Sequence, residues 1–297
     1  MNANNTLAVI NAQLEADASK ESFRTHLGAS VIGRPCAREV WYKFHWTNKE
    51  KFAGRMLRLF NRGHKEEDRF AGYLRSIGAE VWVTNPDDID PETKLERQFR
   101  VSEVDGHFGG SLDGVVRGLP EFPNVPILCE FKTHNDKSFK KLVEDGLMKA
   151  KWEHFIQMQT YMHLKGLKLG LYMAVNKNDD DLFLTFVEPD PEQAERVIER
   201  ARMIIYATEA PAKVNNSPGY WLCKFCSLNR ICHFKDTSEV EQNCRTCVYS
   251  EPARDGSGNW VCNWSTGIGK DVVILDKAAQ LAGCQHYTMN PALFAQP

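Results

Sequence analysis

Over residues 55–77, apolar positions Leu59, Phe70, Leu74 and Ile77 recur at helical spacing, with Gly63 inside the run and Gly78 after it. This pattern predicts a helix that carries His64 and Glu67. Residues 80–84, 98–104, 108–116 and 127–133 are short, β-prone and separated by Pro, Asp and Gly, which predicts a strand meander. Helices are then predicted over 152–164 and 192–206, flanking strands at 169–175 and 182–187. Weak helical periodicity around Leu7, Ile10 and Leu14 marks residues 1–30 as a peripheral helix or arm. The fold class is therefore α/β, with a main domain over 31–237. After Pro211 the character changes, because seven of the nine cysteines fall between Cys223 and Cys284. A small C-terminal module is predicted over 238–297.

Composition narrows the class. The 297 residues are 42% hydrophobic and 26% charged, the balance of a globular chain rather than a disordered or fibrous one. A net charge of -2 carries no global basic signature, so polyanion binding has to rest on local Lys/Arg groups and on metal ions. Apolar runs are too short to span a bilayer and the start of the chain lacks a secretory pattern, which predicts a cytoplasmic protein. In that compartment thiols stay reduced, and CxxC pairs indicate metal rather than disulfides.

Residues 126–133 form an apolar strand with two charges placed two positions apart. Alternation puts Glu130 and Lys132 on one face, and Cys129 and Phe131 on the other. Buried charges need partners or a metal. Asp113 lies in a Gly-flanked stretch, Gly109-Gly110-Ser111-Leu112-Asp113-Gly114, at a strand end where its carboxylate can meet Glu130. Phosphodiester hydrolysis calls for hard divalent cations on carboxylate oxygens, with a neighbouring ammonium to stabilise the reacting phosphate. E-x-K alone is a weak motif, equally compatible with a surface salt bridge.

Asp113, then 16 residues, then Glu130-Phe131-Lys132 resembles the D…(D/E)-x-K signature of restriction-endonuclease-like nucleases, with Leu112 in place of the usual proline. Gly63-His64 resembles the element of RecB-like nucleases whose histidine is a further metal ligand. Gln157 and Tyr161 resemble the Gln-x-x-x-Tyr element that follows the catalytic strand there. The resemblance covers residues 30 to 235 and implies a restriction-endonuclease-like core: a central mixed sheet flanked by helices. It implies catalytic Asp113, Glu130 and Lys132, Mg²⁺ or Mn²⁺ on His64, Asp113 and Glu130, and DNA positioning by Gln157 and Tyr161. Glu67, one turn after His64, either assists at the metal or sits on the solvated helix face, and the second reading is favoured. Lys137, Lys140, Lys141, Lys149 and Lys151 are candidate phosphate contacts, and His134 a weaker one.

Cys223, Cys226 and Cys232 form C-x2-C-x5-C, and Cys36 lies far upstream. On the residues alone the four thiols suit zinc or iron. Their order and spacing are similar to nucleases of the AddB and CRISPR-adaptation type, which implies a structural [4Fe-4S] cluster. Cys244 and Cys247 form a second CxxC knuckle, and Cys262 follows a turn-prone run, predicting a zinc-ribbon-like hairpin. Cys284 and His286 both suit the fourth position, and Cys284 completes an all-thiolate zinc site. The function implied is a metal-dependent DNA nuclease, an exonuclease in recombination, repair or phage genome processing, with a recombination or single-strand-binding protein as a further partner. The competing class is a catalytically silent DNA-binding or assembly module, against which the retained Asp113, Glu130 and Lys132 argue.

Overall fold

The computed structural model describes residues 2–295. The longer elements, in chain order, are α1 (Asn4–Lys20), α2 (Ala37–Phe44), α3 (Gly54–Ser76), β1 (Glu80–Trp82), β2 (Phe108–Ser111), β3 (Gly114–Arg117), β4 (Ile127–His134), α4 (Asp136–Asp145), α5 (Trp152–Lys165), β5 (Gly170–Asn176), β6 (Leu182–Val187), α6 (Pro191–Ile205), α7 (Trp221–Lys224), α8 (Asn229–Phe234), β7 (Ser250–Pro252), β8 (Trp260–Cys262) and β9 (Val273–Leu275). The architecture is mixed α/β, with several sheets flanked by helices. Two compact units interleave along the chain. One holds the residues through Ser22, Lys51–Val101 and Gly110–Glu195, and the other holds Phe23–Glu50, Ser102–Gly109 and Arg196 onward. The boundary expected at residue 238 falls inside the second unit.

In the first unit, five strands pair in the order β6-β5-β4-β3-β1. β1, β3 and β4 run antiparallel in sequence, whereas β4 and β5 are parallel. A parallel step needs a long crossover, and α4 and α5 supply it. The predicted meander is therefore only partly right. Its segment at 98–104 contributes a strand at Arg100–Glu103, which pairs with β2 in a separate sheet. Residues 108–116, read as one strand, are broken at Leu112 and Asp113. There the Leu112 amide donates to the Phe99 carbonyl at 2.9 Å, and the Asp113 side chain accepts from the Phe131 amide at 2.7 Å.

The core on one side of this sheet joins Phe70 and Leu74 of α3 to Cys129, Phe131, Leu171 and Met173. Phe70 stacks on Phe131 at 5.1 Å. At Gly170, a Cβ would meet Met158 Cε at 2.7 Å, so the missing side chain lets α5 lie close to β5. Helices α2 and α4 were not anticipated from the sequence. Each is amphipathic but short, and its start is set by local caps: the Cys36 thiol accepts from the Glu39 amide at 3.4 Å, and Asn135 accepts from Ser138 at 2.9 Å.

In the second unit, β7, β8 and β9 form an antiparallel three-stranded sheet. The turn between β7 and β8 depends on Gly258, which has φ of +70°. Its amide donates to the Asp105 carbonyl at 2.9 Å, and a Cβ there would lie 2.9 Å from the Gly106 carbonyl oxygen. The sheet is anchored by Arg245, 1% exposed, whose guanidinium lies 3.8 Å from the Trp46 ring centroid and 4.8 Å from that of Trp260. Its nitrogens donate to Gln280 Oε1 and to the carbonyls of Phe44 and Thr25. Burial holds its pKa well below the usual arginine value. The Cys244–Cys247 knuckle is thus fixed by an arginine seated in an aromatic cage.

Candidate functional site

Antiparallel pairing of β3 and β4 sets Gly114 against Cys129, which brings Asp113 opposite Glu130. The charged face of β4 turns away from the Phe70 layer and toward α5. Glu130 is fully buried. Its Oε2 accepts from Gln157 Nε2 at 3.2 Å. Its Oε1 meets the Lys132 ammonium as an ion pair, yet no donor is aligned with that oxygen as a hydrogen bond. Lys132 Nζ also lies 3.5 Å from Asp113 Oδ2 and donates to the Phe131 carbonyl at 3.0 Å.

Asp113, Glu130, Lys132, Gln157 and Tyr161 are thereby brought together. A buried ion pair at this position is not the solvated surface bridge that an isolated E-x-K suggests. Burial pushes the Glu130 carboxyl up to about 8, with Asp113 adding to the rise and Lys132 opposing it. Burial works against the charged form of Lys132, but the two carboxylates outweigh it and the pKa rises. Tyr161, 2% exposed, is raised by burial and then by the Glu130 and Asp113 charges, and it is hydrogen-bonded to Gln157.

Tyr161 has room only because residue 110 is glycine, since a Cβ there would collide with the Tyr161 hydroxyl. Gly110→Ala is therefore expected to destabilise the fold by about 1–3 kcal/mol and to lower any activity of the site. Adding Tyr161→Phe should recover part of the melting temperature. Equal melting temperatures for wild type and Gly110→Ala would contradict this packing.

α3 supplies the remaining groups. His64 is exposed and is not in hydrogen-bond contact with the Asp113–Glu130 pair. Glu67 is half-buried, and its carboxyl is raised by burial and then by Asp113, while His64 and Lys132 pull it down. Glu67 thus faces the site rather than open solvent. Its position seven residues before Leu74 and three before Phe70, on the core-facing side of the helix, was the available signal.

His134 is not a surface group either. It is 7% exposed, and its Nε2 lies 2.9 Å from the Tyr172 hydroxyl, which also lies 2.9 Å from His154 Nδ1. Burial holds His134 at about 4 and His154 at about 2, so both rings are neutral near pH 7. Of the candidate phosphate contacts, Lys140 pairs with Asp136 and Lys149 with Asp145 one helical turn away.

Cys36, Cys223, Cys226 and Cys232 line one cavity in the second unit, together with Arg38 and Tyr42. Cys36 stands at the start of α2. Two residues on, Arg38 donates to the carbonyls of Ala210, Pro211 and Ala295, tying that helix to chain distant in sequence. Burial raises the thiols of Cys223, Cys226 and Cys232, Cys226 to about 11. Cys244 is likewise raised to about 11 by burial, then by Cys247, Cys284 and Cys262, which are its electrostatic neighbours. His286 instead stacks on Trp264, with ring centroids 3.7 Å apart.

Among the described residues, no three His, Cys, Asp or Glu side chains stand as a closed metal site. Carboxylates are the kind of ligand that hard divalent cations take, and thiols the kind that zinc and iron take. No helix among the described residues is long and apolar enough to cross a membrane.

No protein-family model matches the chain, and no curated protein matches it significantly. Among solved structures, the chain designated SSO0001 is similar with a TM-score of 0.43 and 18% identity, over 76% of this chain and 95% of that one. The alkaline exonuclease LHK-Exo from Laribacter hongkongensis is similar with a TM-score of 0.38 and 20% identity, over 65% of this chain and 90% of that one. Its complex with dAMP gives a TM-score of 0.39 at the same identity and coverage. Likeness at these scores assigns no family.

Proposed function

We propose that this chain is a deoxyribonuclease of the PD-(D/E)-x-K type that uses Mg²⁺ or Mn²⁺ and acts as an exonuclease in recombination, repair or phage genome processing. The observation that carries the reading is Glu130: a fully buried carboxylate paired with Lys132, held by Gln157 and set opposite Asp113 on the neighbouring strand. A bound divalent cation would neutralise charge on the phosphate and lower the pKa of the attacking water. Asp113 and Glu130 are the residues to hold it, with Glu67 and His64 of α3 as additional donors. Lys132 keeps a positive charge at the phosphate. Gln157 fixes the Glu130 carboxylate, and Tyr161 fixes Gln157.

The pH dependence tests this reading. Burial raises the Glu130 carboxyl well above the ordinary carboxylate range, so it takes up a proton more readily than an exposed one in the metal-free protein. Its contribution to stability is then full below the ordinary carboxylate range and is lost as pH rises through about 8. A cation must displace that proton, so metal affinity is expected to climb with pH up to about 8, by about tenfold per unit for one proton. Digestion of linear DNA at subsaturating Mn²⁺ should follow the same rise. A profile flat from pH 5 to 9 would contradict the role given to Glu130.

In the same reading, Cys36, Cys223, Cys226 and Cys232 hold a structural [4Fe-4S] cluster, supported by the cavity they share. Cys244, Cys247, Cys262 and Cys284 hold zinc, supported by the electrostatic influence of Cys247, Cys284 and Cys262 on Cys244. Because His286 is stacked on Trp264, Cys284→Ala is expected to lose one zinc per chain and His286→Ala to retain it. Zinc content after each substitution decides the matter, and the reverse outcome would make the site Cys3His.

A further inference from the structure

The segment around the first cysteine group exposes more aromatic surface than folding can account for. Phe225 is 83% exposed, the largest value among the exposed large hydrophobic side chains of the described residues, while Trp221 and Phe234 are each 64% exposed. Such side chains gain nothing from burial, and contiguous apolar exposure marks a contact surface. Trp221 opens α7 and Phe225 directly follows its last residue, four positions on. Phe234 closes α8, and Cys223 of α7, Cys232 of α8 and Cys226 between them line one cavity.

The charge on this strip is mainly positive. Residues 213–235 contain Lys213, Lys224, Arg230 and Lys235 and no Asp or Glu, in a chain with 39 acidic residues and a net charge of -2. Lys224 Nζ lies 5.6 Å from the Phe225 ring centroid, so a cation and an aromatic face are presented together. The acid nearest in sequence, Asp236, pairs with Arg230, so the strip's positive charge beside the rings rests on Lys224 and Lys235; farther off, Glu39 pairs with Arg34 and Lys43, and Glu50 with Lys43. Paired cations and exposed rings fit a polyanion whose planar groups are free to stack. Duplex DNA offers the charge but keeps its bases stacked, whereas a single strand offers both.

We infer that Trp221, Phe225 and Phe234, with Lys224 and Lys235, form a stacking surface for single-stranded DNA on the cysteine-bearing module. The inference rests on DNA being the substrate of the proposed nuclease site, and it adds the strand form that the second unit grips.

The test is binding of fluorescently labelled oligothymidylate to the full chain in chelator, where cleavage cannot interfere. Trp221→Ala, Phe225→Ala and Phe234→Ala are each expected to weaken binding by about tenfold, and Phe225→Trp to restore it. Lys224→Ala should weaken binding and reduce the slope of its logarithm against salt by about one. Affinity for a blunt duplex of the same length should hardly change. Because the side chains are exposed, melting temperature and bound metal should match wild type. A triple aromatic variant that binds oligothymidylate like wild type overturns the inference, as does an equal loss for duplex. Tight binding by a chain that cleaves no DNA with any metal would instead refute the nuclease reading and leave the stacking surface standing.

Discussion

Asp113→Ala, Glu130→Ala and Lys132→Ala are each expected to lower DNA cleavage by about a thousandfold or more, because each removes a ligand or charge needed at the reacting phosphate. The three losses should not be additive, since the groups touch one another: Lys132 meets Glu130 and lies 3.5 Å from Asp113. Stability separates them. Removing Lys132 leaves two carboxylates without their cation, a change of the kind that costs about 3–5 kcal/mol when the pair is buried. Glu130→Gln keeps the shape and the Gln157 contact while removing a group whose charged form burial disfavours. It should therefore leave the metal-free melting temperature unchanged or raised, although cleavage is lost. A folded member of the trio that cleaves like wild type would sink the catalytic assignment.

The second large effect lies at the first cysteine group. Protein purified without oxygen is expected to be brown and to contain about four irons per chain. Cys36→Ala, Cys223→Ala, Cys226→Ala or Cys232→Ala should each bleach it. The raised thiol pKa values of Cys223, Cys226 and Cys232 mean that, without a cation, these groups sit protonated in their cavity and do not cross-link it. Loss of the cluster should then free α2 from the segment at 223–232 and lower the melting temperature of the second unit. Stoichiometric zinc with no iron in anaerobic protein would contradict the cluster and favour a second zinc site.

What could be read from the chain follows the range of the forces involved. Strand alternation is local, so the shared face of Glu130 and Lys132, and the opposite face of Cys129 and Phe131, followed directly from the sequence. Helical spacing likewise gave Gln157 and Tyr161 one face of α5. The sequence could not choose between the two readings of Glu67 and favoured the solvated one, because solvation depends on what packs against a helix, and a Glu near His64 looks the same on either side of it. His134 was misread for the same reason: its partner Tyr172 lies on a neighbouring strand. The break at Asp113 depends on an amide of β4, and the gathering of Cys36 with three cysteines far downstream came from resemblance, because no local pattern reports such a distance. Boundaries between units were equally hidden, since both units are assembled from discontinuous stretches of chain.

The most direct measurement is incubation of the purified chain with end-labelled linear DNA and with covalently closed circular DNA, in Mg²⁺, in Mn²⁺ and in chelator. Progressive loss of the linear substrate with either metal, protection of the circle, and no reaction in chelator are the outcomes predicted for a metal-dependent exonuclease built on Asp113, Glu130 and Lys132. Folded protein that leaves linear DNA intact with both metals, or degrades it equally well in chelator, would contradict it.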